Sequence, residues 1–209
     1  MDVVLNVEPR WVSPYVFACF VALTEKGIGF RSVELDANQG QTRADDYLAR
    51  TLTGRVPTLE HGDFALGESS AIVEYLEHVF PEPPVLPRQP RERARCRQLL
   101  SWLRSDDLAP LREARPTTTM FYEHVTTPLE GAAKLAADKL VGVCERFLHG
   151  HHHDNLFGTW SIADSELAFM LHRLIMNHQP LPARLRDYAV TQWQRPSVQQ
   201  FVQKKRPPR

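Results

Sequence analysis

Pro81-Glu82-Pro83-Pro84-Val85-Leu86-Pro87-Arg88-Gln89-Pro90 puts five prolines into ten residues. Proline fixes φ and carries no N–H, so neither a helix nor an interior strand runs through such a segment. The stretch predicts a stiff extended linker, and the grammar of the chain changes across it. Before it, short strand-like runs alternate with helical stretches; after it, only helical periodicity is found. The predicted organisation is an α/β domain over 1–80, a Pro-rich linker over 81–90 and an all-helical domain over 91–209.

Moving back from the linker, Ala71, Ile72, Tyr75, Leu76 and Val79 recur at helical spacing, which predicts a helix over Ser70 to Val79 with Ser69 as its cap. Thr58 to Glu60 and Phe64 to Leu66, joined by His61-Gly62-Asp63, read as a tight antiparallel hairpin. Thr42 and Asp45 have capping-box spacing, which predicts a short helix to about Leu52. Phe30 to Leu35 alternates in polarity, a helix is expected over Pro14 to Lys26, and Val3 to Val7 is a mostly apolar run. Strand, helix and strand in that order form a β-α-β unit.

Moving forward, helices are predicted over Arg91 to Leu108, Leu129 to Leu148, Ile162 to Asn177, Ala183 to Trp193 and Val198 to Lys204. On the second, Ala132, Ala136, Leu140, Val143 and Phe147 share a face. On the third, Ala163, Leu167, Leu171, Leu174 and Ile175 do. The second half should therefore be a helical bundle.

The 209 residues are 43% hydrophobic and 24% charged, enough for a sizeable core. Basic and acidic residues balance at 25 each, so no overall field favours nucleic acid or an anionic membrane surface. Asp2 and Glu8 stand where a secretory signal needs basic residues, and no apolar run approaches membrane-spanning length, so a cytoplasmic location is expected. Cys19, Cys96 and Cys144 lie far apart and suit a reducing compartment.

Four short motifs carry the chemistry. In Ser13-Pro14-Tyr15, a hydroxyl stands at the start of a helix with Pro14 in the first turn, at the positive end of the helix dipole where anions collect. Further on come Gly54-Arg55-Val56-Pro57-Thr58-Leu59, then Glu68-Ser69-Ser70-Ala71-Ile72, then Ser161-Ile162-Ala163-Asp164. Each has a plain structural use as well: Ser13 and Ser69 as helix caps, Pro57 as the opening of a strand, Ser161 with Asp164 as a capping box.

Taken in series around a Pro-rich linker, the four motifs resemble the cytosolic glutathione transferase family, serine-type and theta- or zeta-like. The resemblance implies a thioredoxin-like N-terminal domain, a helical-bundle C-terminal domain, glutathione as co-substrate and a homodimer. It gives Ser13 the catalytic role of donating a hydrogen bond to the glutathione sulfur, which favours thiolate over thiol, while Tyr15 points into the core. Val56-Pro57 matches the family's cis-proline, which offers the backbone of Val56 to the tripeptide. Glu68 and Ser69 match the site for the γ-glutamyl group, and Ser161 to Asp164 the folding motif of the second domain. The partner would be a small hydrophobic electrophile or an organic hydroperoxide, in a pocket that includes Trp11, Trp102 and Tyr122, between Glu8 to Trp11 and the helices around Trp102 to Leu111 and Met120 to Tyr122.

The pattern is not complete. Thr51-Leu52 stands where the family often has Asn-Pro, leaving Arg43 as the nearest candidate for the glycine carboxylate of glutathione. Trp160 faces polar Ser165 in the expected hydrophobic staple, so another contact must anchor that end. Arg91, Arg93, Arg95 and Arg97 step by about 200° on a helix and divide between two faces. His149, His151, His152, His153 and Asp154 read as a polar loop and not as a metal site. A cysteine mechanism through Cys19 and a non-catalytic protein-interaction module of the same fold are the rival readings.

Overall fold

The computed structural model describes residues 2–149 and 154–208. It divides into two compact units, Met1–Val85 together with Pro196–Arg209, and Leu86–Arg195.

The first unit is built on a four-stranded sheet of order β2-β1-β3-β4, from β1 (Val3–Val7), β2 (Arg31–Glu34), β3 (Thr58–His61) and β4 (Phe64–Gly67). β1 is parallel to β2 and antiparallel to β3, and β3 is antiparallel to β4. Every residue of β1 is buried, as a strand paired on both edges and covered on both faces requires. Helix α1 (Pro14–Glu25) provides the β-α-β crossover and packs with α3 (Ser69–Val79), which completes a thioredoxin-like fold. The hairpin turns at Gly62, whose φ of +62° is open to glycine at no steric cost.

Three local expectations change here. The Thr42 and Asp45 box does not form: Gln41–Arg43 is a 3-10 turn in which Thr42 is buried, and α2 (Asp45–Leu48) starts from Ala44 with no side-chain cap. Ser69 is the first helical residue of α3 rather than its cap, because Glu68 takes the cap position with φ +65°. The buried face of α3 is Ile72, Val73, Leu76 and Glu77, while Ala71 and Val79 are exposed. That rotation puts a carboxylate in the core, where Glu77 pairs with Lys26 at 2.8 Å.

The linker is docked, not free. Val85, Leu86 and Pro87 are buried, and the Val85 N–H donates to Glu77 Oε2 at 3.0 Å. Pro90 is already helical, at the start of α4 (Pro90–Leu103), with Gln89 as its cap. The helix predicted to Leu108 stops at Leu103 because Ser105 Oγ donates to the Trp102 carbonyl at 2.7 Å and Arg112 takes the carbonyls of Leu103 and Ser105. A 3-10 turn over Asp106–Leu108 and α5 (Ala109–Ala114) follow, then α6 (Thr118–Phe121).

The second unit continues with α7 (Gly131–Leu148), α8 (Ile162–Ile175) and α9 (Ala183–Trp193). On α7 the buried stripe is Ala136, Ala137, Leu140, Cys144 and Leu148, with Ala132 exposed, so the face is turned by about one residue from the expected one. Helix α8 is buried nearly all round, as the central helix of a bundle must be. Its Ser161 and Asp164 form the expected capping box. The weak staple is replaced by Arg195, whose guanidinium lies 4.0 Å from the centre of the Trp160 ring. The segment α10 (Pro196–Val202), expected with the bundle, packs on α1 in the first unit through Phe201.

α8 also carries a buried histidine. His172 stacks on Trp193 with ring centres 4.0 Å apart and donates Nδ1–H to the Ala168 carbonyl at 2.8 Å. Burial pushes its pKa from 6.5 down to about 4, so the fold holds it neutral. The stability of the neutral ring is fully present above pH 6.5 and is lost as the pH falls towards 4, about 3 kcal/mol in all. Urea unfolding between pH 7 and 4 is expected to steepen in this window for the wild type and to flatten in His172→Leu; parallel curves would refute the assignment.

Candidate functional site

The sheet register gathers the motifs at one end of the first unit. Asn6, near the end of β1, pairs with Thr58 at the start of β3, and Thr58 pairs with Gly67 at the end of β4. The segments that follow β1, precede β3 and follow β4 therefore leave the same end of the sheet. They carry Ser13, Val56-Pro57 and Glu68-Ser69 respectively.

Ser13 caps α1 in extended conformation, φ −67° and ψ 125°, with Pro14 in the first turn. Its Oγ accepts the N–H groups of Tyr15 and Val16, both at 3.3 Å. The oxygen's acceptor sites are used by the helix, and among the described residues its own proton meets no acceptor. A hydroxyl so placed is a donor facing outward from the positive end of a twelve-residue helix. Tyr15 is corrected: its side chain is 39% exposed and not part of the core.

The Val56-Pro57 peptide is cis. Among the described residues Val56 makes no backbone hydrogen bond, so its N–H and C=O remain open for an incoming extended chain. The loop is held from behind: Tyr47 OH and Thr58 Oγ1 each lie 3.1 Å from the Arg55 carbonyl oxygen, and the two hydroxyls are hydrogen-bonded to each other at 2.8 Å, so one of them donates to the other and the other donates to the carbonyl. Gly54, at φ +60°, lets the loop close on α2; a Cβ there would stand 2.9 Å from the Thr42 carbonyl oxygen and 2.8 Å from Leu48. These contacts make the loop a rigid part of the fold.

Glu68 sits at φ +65° and ψ 110°, uncommon for a residue with a side chain. Its backbone turns the chain from β4 straight into α3, where Ser69 is 5% exposed. The first N–H groups of α3 have no intrahelical partner, so this helix start suits a carboxylate. Arg43 is exposed on the 3-10 turn beyond β2.

The expected electrophile wall needs correction at Trp11. That residue is 4% exposed, donates its indole N–H to Glu34 at 2.9 Å, and meets Phe20 and Phe201 edge-on. It belongs to the core of the first unit. Trp102 and Tyr122 are half-buried in the second unit. Trp102 lines a cavity of about 940 Å³ there with Leu99, Val143, Phe147 and Phe157, and its indole N–H donates to Asp107 at 3.1 Å. Tyr122 follows α6 and is not among the residues that line it.

Cys19 is fully buried, with its thiol directed to the Ser69 carbonyl at 3.9 Å, so its sulfur does not meet solvent. Burial pushes the thiols of Cys96 and Cys144 up to about 12. The His151 to His153 part of the histidine loop lies outside the described residues. Among the described residues no cluster of His, Cys, Asp or Glu could hold a metal ion, and no helix is long and apolar enough to cross a membrane.

One residue of the site escaped the sequence reading. In the sequence Glu8 reads as an acidic residue near the N-terminus and as part of the pocket wall, yet its Oε1 accepts the N–H groups of both Val12 and Ser13, at 2.5 and 2.7 Å. The available signal was an acidic residue five positions before the Ser-Pro cap, too common to stand out.

Comparison with known proteins places both halves of the chain in one family. A family model described as glutathione S-transferase, N-terminal domain, matches residues 11–84, and one described as glutathione S-transferase, C-terminal domain, matches 90–205. The chain is 38% identical to a glutathione transferase homolog from a Burkholderia, whose crystal structure has bound glutathione, with a TM-score of 0.79 and 97% of both chains covered. It is 27% identical to glutathione S-transferase Z2 of Arabidopsis thaliana over 97% of this chain and 92% of that one. It is also 35% identical to maleylacetoacetate isomerase of Dictyostelium discoideum, over 50% of this chain and 48% of that one, so it spans about half the length of that relative. With both halves matched in order and the cis-proline, Ser-Pro and Glu-Ser motifs gathered at one end of the sheet, the chain belongs to the glutathione S-transferase family.

Proposed function

We propose that this protein is a glutathione transferase in which the Ser13 hydroxyl holds the glutathione sulfur as a thiolate. The observation that carries the reading is the Ser13 Oγ, which accepts two helix N–H groups and keeps its proton for a ligand. A free thiol has a pKa of about 8.5, so near pH 6.5 only about 1% is ionised. A hydrogen bond to the sulfur and the positive end of α1 both favour the anion and raise that fraction.

The tripeptide lies along Val56 by strand addition, its γ-glutamyl carboxylate at the start of α3 and its ammonium near Glu68, with Arg43 as the candidate partner for the glycine carboxylate. The thiolate then attacks a small hydrophobic electrophile, forming a carbon–sulfur bond and expelling a leaving anion. With an organic hydroperoxide it attacks oxygen instead: a sulfur–oxygen bond forms as the O–O bond breaks, the alkoxide leaves as the alcohol after protonation, and the thiol of a second glutathione displaces the sulfenic oxygen as water to give the disulfide. Trp102 and Tyr122 are proposed on the electrophile side. The family resemblance supports a homodimer.

The isomerase among the relatives favours a further fate for the same thiolate. It adds to an alkene conjugated with a carbonyl, the former double bond rotates, and the thiolate is expelled again with no net change in atoms.

Ser13→Ala is expected to reduce turnover about 10-fold or more, as the loss of one hydrogen bond to a charged group implies, with KM for glutathione within several-fold. Steady-state assays with an aryl halide and with cumene hydroperoxide check this. The substitution also removes a helix cap, at a cost of about 1 kcal/mol, so rates are compared well below the melting temperature. Unchanged turnover would reject the role. If the protein failed to bind immobilised glutathione, the interaction-module reading would replace the enzyme.

A further inference from the structure

We infer that Glu8 is a positioning residue for Ser13, and that Glu8 and Arg206 together clamp the backbone of residues 11–13 in the geometry the serine hydroxyl needs. This rests on the reading of Ser13 given above. Glu8 is not a ligand of the sulfur in this proposal; it acts through the chain that carries Ser13.

Residues 8–13 connect β1 to α1 and form no regular element, so their geometry depends on specific contacts. Each of the last three positions has one. The Val12 and Ser13 N–H groups both donate to Glu8 Oε1, at 2.5 and 2.7 Å, short bonds of the charge-assisted kind. The Trp11 carbonyl accepts from Arg206 Nη2 at 2.9 Å. Arg206 is itself fixed, its Nη1 donating to the carbonyls of Val202 and Lys204 at 2.7 and 2.9 Å.

Trp11 has φ +49°, a region that a residue with a bulky side chain occupies only when its surroundings impose it. The surroundings are named: the Glu34 carboxylate on the indole N–H, Phe20 and Phe201 against the ring, and the Lys204 ammonium 4.6 Å from the ring centre. Lys204, Arg206 and Phe201 all come from the C-terminal segment, so this tail sets the loop before the catalytic helix.

The Glu8 carboxylate is expensive for this place. Among the described residues its Oε2 is buried without a hydrogen-bond partner, and burial pushes its pKa up against the pull of the two N–H groups and of the Arg206 charge. A negative charge beside a sulfur anion also opposes ionisation of the sulfur. Stability and electrostatics alone would favour a neutral residue; geometry is what the two N–H contacts supply, and a misplacement of about 1 Å at such a site costs on the order of 100-fold in rate.

The electrostatic and positioning roles predict opposite results. In Glu8→Ala both acceptor and charge are gone; in Glu8→Gln an acceptor oxygen remains and the charge is gone. Ultraviolet titration of bound glutathione is expected to show the thiol pKa raised by about one unit or more in Glu8→Ala, with about 10-fold lower kcat near pH 6.5 and KM for glutathione within several-fold. Glu8→Gln is expected to stay within about 3-fold of the wild type. Arg206→Met is expected to raise the thiol pKa in the same direction as Glu8→Ala. Because Arg206→Met also removes a cation, Arg206→Lys, which keeps the charge and loses the planar fork, decides the matter if Glu8→Ala does not fold: a raised thiol pKa is expected there too, and an unshifted one overturns the clamp. A thiol pKa unchanged or lowered in Glu8→Ala, a Gln variant as impaired as Ala, or an unshifted pKa in Arg206→Met would each overturn the clamp. Ser13→Ala, titrated alongside, separates the two claims: if it leaves the thiol pKa unchanged the catalytic reading fails, whereas a shift there with none in the Glu8 and Arg206 variants removes only the clamp.

Discussion

Asp164→Ala is expected to destabilise the protein by about 3–5 kcal/mol, read from the urea midpoint. The Asp164 side chain is fully buried, and its carboxylate accepts four hydrogen bonds. Ser161 N and Ser161 Oγ reach Oδ2 at 2.8 and 3.0 Å; Leu156 N and Tyr188 OH reach Oδ1 at 2.8 and 2.9 Å. Removing the acceptor leaves donors from three segments unsatisfied, each costing about 1–3 kcal/mol if no water replaces it. Burial raises the Asp164 pKa, and the four hydrogen bonds offset part of that rise. Asn at this position offers one oxygen where two are used, so Asp164→Asn should lose most of the same stability. A loss below about 1 kcal/mol in the Ala variant would show that the box does not organise the second unit.

The second large effect concerns Lys26. Its Nζ lies 2.8 Å from Glu77 Oε2, 2.7 Å from the Phe80 carbonyl and 3.0 Å from the Pro83 carbonyl, so all three of its N–H donors are used. Glu77 in turn receives the Val85 N–H. The pair fastens the end of α1 to the end of α3 and to the first half of the linker. Lys26→Met leaves a carboxylate buried without its cation and should cost about 3–5 kcal/mol. Lys26→Met with Glu77→Leu should recover part of that, because no charge is then left alone, but not all, because the Phe80 and Pro83 carbonyls and the Val85 N–H stay unpaired. A double-mutant cycle by urea unfolding measures the difference. If the two single losses simply added, the pair would not be coupled and the account of the linker would fail.

Much of this architecture could be read from the sequence, and the particular failures are instructive. β1 and α9 fall at the expected residues because their limits are set locally, by a polar turn or a proline at the edge of an apolar run. The thioredoxin-like half and its cis-proline followed from the family resemblance, since X-Pro bonds are trans by default. The faces of α3 and α7 were misjudged because periodicity ranks residues by apolarity, while packing in the fold buried Glu77 with its lysine and left Ala71, Val79 and Ala132 outside. Lys26 and Glu77 are 51 positions apart by number, and no local pattern pairs them. The layout implied by the family resemblance puts Trp11 in the pocket wall; its burial depends on the C-terminal segment, nearly 200 residues away, folding back onto α1. Ser69 was a sound cap by composition, but the left-handed backbone of Glu68 moved the helix start by one residue.

The catalytic proposal turns on the ionisation of one sulfur atom. The most direct measurement is the thiolate absorbance of glutathione bound to the wild type and to Ser13→Ala, followed across pH. The account predicts a bound thiol pKa well below about 8.5 in the wild type and a return towards that value in the variant. Equal pKa values in the two proteins, or no extra thiolate on binding to the wild type, would contradict it.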